Sequence, residues 1–200
     1  MKSEDLLAMF RNAQLAVFTS KDVERLTGKK IAYASLYLSR LVKRHKLIKI
    51  EKGKYCLFNT NVYEIAANIV SPSYISLFSA FSLYGLTAQG VVMTVDVMTT
   101  KRHKQINFGS YTIRFITISR ERLFGFQRLQ NRAIIAALPE KAIVDAVYFN
   151  NPNEYYIFEA IETGLRKRIL DTDMIVDFAK RMHSEKTVNR VTSLLAEAGG

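Results

Sequence analysis

Apolar positions along the chain first recur at a helical period and then at a strand period. Leu6, Leu7 and Phe10 follow Ser3 at helical spacing, with Glu4 and Asp5 in the first turn, and predict a helix to about Asn12. Thr19 or Ser20 caps a short second helix that turns Val23 and Leu26 inward and stops at Gly28. In a third helix, successive steps of about 100° place Ile31, Ala34, Leu38, Leu41, Val42 and His45 on one packed face. The period then shortens. Residues 47–51 and 54–58 read as two strands joined at Lys52-Gly53, where glycine supplies the positive φ of a tight hairpin.

Beyond the hairpin, Ile65, Ala66 and Ile69 predict a linking helix over 62–70, ended by Ser71-Pro72. A new unit begins there. Residues 74–86 read as a buried helix in which Ser76, Ser79 and Ser82 allow close helix contact and Gly85 is the stop. Residues 91–100 and 106–119 are rich in β-branched and aromatic side chains, the second with a turn at Gly109-Ser110, and 133–138 is a further strand. Pro139 opens a helix with Glu140 at the positive end of its dipole, and two or three further helices follow around 154–166, 171–183 and 185–198. The expected fold is α+β, with an N-terminal winged helix-turn-helix over 1–70 and a mixed α/β domain over 71–200.

Charge changes this picture most in the third helix. Its outward side carries Lys29, Lys30, Tyr33, Leu36, Arg40, Lys43 and Arg44, flanked by Tyr37 and Ser39, and no acidic residue occurs between Glu24 and Glu51. An ordinary surface helix mixes both signs, so this face is built for an anion. The whole chain has a net charge of +11, and the first seventy residues hold 13 Lys or Arg against 6 Asp or Glu, leaving 16 against 12 for the rest. A helix, a second helix, a cationic helix and a hairpin tipped by Lys52 and Lys54 make the order of a winged helix-turn-helix, whose third helix enters the major groove of double-stranded DNA. Arg40 and Arg44 are the candidates for guanine, and Tyr33, Tyr37 and Ser39 for phosphates or base edges.

Other chemistry is thin. Cys56 is the single cysteine, requires no oxidising compartment and reads as core. The N-terminus lacks a secretory pattern, so a cytoplasmic protein is expected. No charge occurs between Glu64 and Asp96, yet Pro72, Gly85, Gly90, Asn68 and Gln89 interrupt that stretch, and it reads as a buried helix and a strand rather than a membrane span. His45 reads as a helix-end residue near the last carbonyls. Lys141 and Asp145 are one helical turn apart and read as an ion pair, and Asp96 stands alone on its strand. No metal-ligand spacing, phosphate loop or carboxylate cluster points to an enzyme, a metal or a cofactor.

The blocks 73–89 (SYISLFSAFSLYGLTAQ), Thr99-Thr100-Lys101-Arg102 and Leu138-Pro139-Glu140-Lys141-Ala142-Ile143-Val144-Asp145 resemble successive blocks of the AbiEi antitoxin family. The winged helix fits the same family, so the resemblance runs through nearly the whole chain. It implies the antitoxin of a type IV, abortive-infection toxin-antitoxin pair. Such a protein represses its own operon at inverted repeats, and its second domain counteracts an AbiEii-like nucleotidyltransferase toxin without a stable complex. Related chains also occur as solitary regulators, and a solitary winged-helix regulator whose second domain senses a ligand or partner is the alternative reading of this chain. A second contact for DNA, RNA or a partner is suggested by Lys101, Arg102 and Lys104 beside His103, with Arg120, Arg122, Arg128 and Arg132 further along; a solvated loop has the same composition.

Overall fold

The computed structural model describes residues 3–88, 93–129 and 132–199. Helices α1 (Ser3–Asn12), α2 (Ser20–Thr27) and α3 (Ile31–Lys43) precede a hairpin of β1 (Leu47–Glu51) and β2 (Lys54–Leu57). Leu6 and Phe10 of α1, Val23 of α2 and Ala34, Leu38 and Leu41 of α3 share one apolar cluster with Phe18, Leu47 and Tyr55. Phe10 and Phe18 stack with 3.8 Å between ring centroids, and the Phe18 backbone pairs with that of Tyr55, which ties the chain before α2 to the hairpin. Ile31 and His45, expected on the packed face of α3, are both exposed. Ile31 is the first helical residue, directly after the loop, while α3 ends at Lys43 and His45 takes φ 52°, so helical stepping does not reach it.

The rest of the chain continues through α4 (Val62–Ile69), β3 (Ser73–Ile75), α5 (Leu77–Tyr84), β4 (Thr94–Thr99), β5 (Ile106–Phe108) and β6 (Tyr111–Thr117). One 3-10 turn (Arg120–Arg122) leads to β7 (Phe126–Arg128), β8 (Ile135–Ala137), α6 (Pro139–Phe149), α7 (Glu154–Arg166), α8 (Thr172–Arg181) and α9 (Glu185–Glu197). The strands form a mixed sheet in the order β5-β6-β4-β3-β8-β7, with β4 parallel to β6 and antiparallel to β3. The protein is thus α+β.

Strand alternation sorts side chains onto the two faces of this sheet. Ile75, Val95, Val97, Ile113 and Ala136 face α4, where Ile65, Ala66 and Ile69 meet them. Tyr74, Met98 and Ala137 belong to the other core, with α5, α6 and the C-terminal helices. Ile48, Ile50 and Cys56 of the hairpin also join the α4 cluster. The hairpin therefore has one face in the helical cluster and the other in the core of the sheet.

Residues 74–86 are not one helix. Tyr74 and Ile75 lie in β3, and the helix begins at Leu77. A strand covered on both faces reads as an unbroken apolar run, which periodicity does not separate from a buried helix. Leu77, fully buried at φ 56°, makes the corner between strand and helix in a region that L-residues rarely occupy. The expected strand over 91–100 runs from Thr94 to Thr99; Met93 is described but lies outside it, and 91 and 92 lie outside the described residues. Strand β7 was not expected: Phe126, Gln127 and Arg128 are all exposed and carry no alternation.

Candidate nucleic-acid interface

Helix α3 is presented by the elements before it. The Asp22 carboxylate accepts from the Thr19 backbone N–H and hydroxyl, both at 2.8 Å, which fixes the start of α2. Gly28 at φ 68° ends α2, and Ser35 of α3 donates to the Ser20 hydroxyl at 2.8 Å, tying the two helices. With Ala34, Leu38 and Leu41 buried, the opposite side of α3 must face solvent. Lys29, Lys30, Tyr33, Leu36, Ser39, Arg40, Lys43 and Arg44 are all exposed there. Among the described residues no carboxylate forms an ion pair with any of those five cations. Tyr37 is half-buried and stacks on Tyr33 with 5.8 Å between centroids. Burial raises its pKa, Tyr33 and Asp5 add to the rise and Arg44 opposes it, so the phenol stays neutral.

At the hairpin the two expected cations part. Lys52 is exposed at the tip beside Gly53, whose φ is 79°. Lys54 is half-buried: its ammonium lies 2.8 Å from Glu51 and donates to the Ile69 carbonyl at the end of α4. Lys54 is therefore a tie between the hairpin and α4 and not a second free charge at the tip.

Glu51 has another neighbour that the sequence does not reveal. His103 Nε2 lies 3.2 Å from its carboxylate, the His103 ring packs on Phe115 at 4.4 Å, and His103 Nδ1 lies 2.8 Å from the Lys104 carbonyl. Burial raises the Glu51 pKa, but Lys54 and His103 outweigh it and hold the carboxyl below its ordinary range. The loop after β4 is thus docked on the hairpin, and Lys101, Arg102 and Lys104 around His103 are exposed.

The other basic residues separate. Arg120 is exposed on the 3-10 turn, whereas Arg122 donates to the Met182 carbonyl at 3.0 Å and lies over the Tyr148 ring. Arg122 is a packing residue on the far core, contrary to the expectation of a contact. Arg128 donates to the Arg132 carbonyl and to Gln14 in the turn after α1.

The acidic groups with catalytic appearance are enclosed. Lys141 and Asp145 form an ion pair in the middle of α6, both fully buried, and Asp145 also accepts from Tyr74 at 3.0 Å and Ser76 at 2.8 Å. Asp96, read as solitary, faces Arg114 across the parallel β4–β6 pair at 2.6 Å. Burial raises its pKa and Arg114 offsets part of that. Strand register, which the sequence does not disclose, makes this pairing. Among the described residues, three or more His, Cys, Asp or Glu side chains nowhere gather as metal ligands, and no helix is long and apolar enough to cross a membrane.

No family model matches the chain, and no curated protein matches it. Among solved structures it is similar to the crystal structure of the RV2827C protein from Mycobacterium tuberculosis. The two share 13% identity at a TM-score of 0.62, over 97% of this chain and 76% of that one. At that identity the likeness concerns the fold alone.

Proposed function

We propose that the chain is a DNA-binding antitoxin: α3 and the hairpin act as a winged helix-turn-helix on double-stranded DNA, repress the chain's own operon, and belong to a type IV pair with a nucleotidyltransferase-like toxin. The observation that carries the DNA reading is the exposed side of α3, where five cations stand without a carboxylate partner among the described residues. A duplex with regularly spaced phosphates is the ligand that such a face suits, and a guanidinium at Arg40 or Arg44 has the fork geometry for guanine. The antitoxin reading rests on the residue blocks over 73–89, 99–102 and 138–145, which resemble the AbiEi family.

The test is a titration of the protein against its own upstream DNA and against a scrambled duplex over a salt series. Selective binding that weakens with salt is expected, with Arg40→Ala or Arg44→Ala costing about 1–3 kcal/mol and relaxing the choice of base at one position. Equal, weak binding to both duplexes would remove the operator reading. The toxin half is tested separately, by coexpressing a nucleotidyltransferase encoded next to this chain and scoring rescue of growth.

A further inference from the structure

We propose that the hairpin tip and the loop after β4 form one continuous phosphate-binding surface, so that the sheet unit grips the DNA backbone directly and lengthens the footprint of α3. This rests on the reading of α3 as a duplex reader and extends it to a part of the chain that lies about fifty residues away in sequence.

The contact between His103 and Glu51 carries the argument. Glu51 immediately precedes Lys52 at the tip, and His103 sits between Arg102 and Lys104, so a separation of 3.2 Å between these side chains brings the two cationic segments side by side. Both segments are also held from behind. Ile48, Ile50 and Cys56 anchor the hairpin in the sheet's core, Lys54 ties it to the Ile69 carbonyl, and Phe115 of β6 supports His103. The acid in the middle is already matched by Lys54 and His103, so Lys52, Lys101, Arg102 and Lys104 remain as exposed positive charge.

The character of the surface selects its ligand. None of the exposed large hydrophobic residues belongs to the hairpin tip or to residues 100–105, so the buried aromatic or aliphatic anchors of a protein interface are missing. The aromatic ring in contact with the loop, Phe115, packs against His103 and both are only partly exposed, so neither offers the open face on which single-stranded bases stack most readily. Fixed cations without anchors or stacking rings match a duplex backbone, which is read through charge and spacing.

The experiment compares the full-length protein with a variant carrying Lys101→Gln, Arg102→Gln and Lys104→Gln together, on the upstream duplex and on a scrambled one over a salt series. Affinity is expected to fall by the same factor for both duplexes, and the salt slope to become shallower by up to about 2.7, or about 0.9 for each lost phosphate contact. Hydroxyl-radical footprinting is expected to lose protection on one flank of the site only. His103→Ala, which leaves the loop cations in place, is expected to lose part of that flank. If the triple variant keeps its slope and footprint while Arg40→Ala and Arg44→Ala lose selectivity, the inference is overturned and the reading of α3 stands. If the wild-type protein fails to bind duplex DNA, or if the triple variant loses only binding to single-stranded RNA or to a protein partner, the inference falls as well.

Discussion

The Lys141 ammonium donates to the Asp145 carboxylate one turn further along α6, and neither side chain reaches solvent. Burial pulls the Lys141 pKa below the ordinary lysine range, Asp145 opposes that, and Arg181 and Arg122 lower it further. Tyr74 and Ser76 both donate to the other oxygen of Asp145. Removing one member strands the other in a medium that penalises lone charge. Asp145→Ala is expected to cost about 3–5 kcal/mol in urea unfolding, and Lys141→Met combined with Asp145→Leu to cost less than the sum of the single changes. Strict additivity would mean that the two charges are not coupled.

Two carboxylates are expected to shift stability with pH in opposite directions. Glu51 is held below its ordinary value of 4.5, so its contribution is present above that pH and is lost as pH falls through the lower folded value. Asp96 is raised above 3.8 by burial, so its contribution is present below that pH and is lost as pH rises through the folded value. The stability difference between wild type and Glu51→Gln should therefore shrink on acidification. That between wild type and Asp96→Asn should move in the wild type's favour over the same range. Unfolding titrations at several pH values between 3 and 7 distinguish the two signs, and parallel curves would contradict both assignments.

Cys56 is fully buried, and desolvation pushes its thiol up to about 12. The thiolate is the reactive form, so alkylation by iodoacetamide at neutral pH should proceed only through unfolding. Mass spectrometry along a urea series should show labelling that tracks the unfolding transition, whereas rapid labelling in native buffer would place Cys56 at the surface.

Gly164 lies within α7, where an added methyl group would come within 2.4 Å of the Leu170 side chain and 3.4 Å of Leu86. In a free helix Gly→Ala is stabilising, but here packing opposes it. Gly164→Ala is expected to lose about 1–3 kcal/mol by overpacking, and Leu170→Ala in the same chain to recover part of that loss. An increase in melting temperature for Gly164→Ala alone would show that Leu170 moves aside freely.

The cationic side of α3 was legible because a helix projects its pattern directly from sequence, and the Lys141–Asp145 pair was legible for the same reason. Gly53 and Pro139 marked a turn and a helix start through their backbone chemistry alone. What stayed hidden depends on register and docking. Asp96 meets Arg114 only because β4 and β6 run parallel in one alignment, and Glu51 meets His103 only because the hairpin lies against the sheet. Lys54 looked like a free tip cation until α4 supplied the Ile69 carbonyl beside it. Strand β3 was misread because a segment covered on both faces offers no polar alternation to separate strand from helix.

A hairpin with both faces claimed by separate cores constrains how such a protein changes over generations. Substitutions at Ile48, Ile50 or Cys56 must satisfy the sheet, and those at Leu47 or Tyr55 must satisfy the helices, so neither face drifts alone. The outward side of α3, the tip at Lys52 and the exposed Lys101, Arg102 and Lys104 carry no such double obligation. Side chains can therefore be exchanged at those positions while the joint that holds them stays fixed.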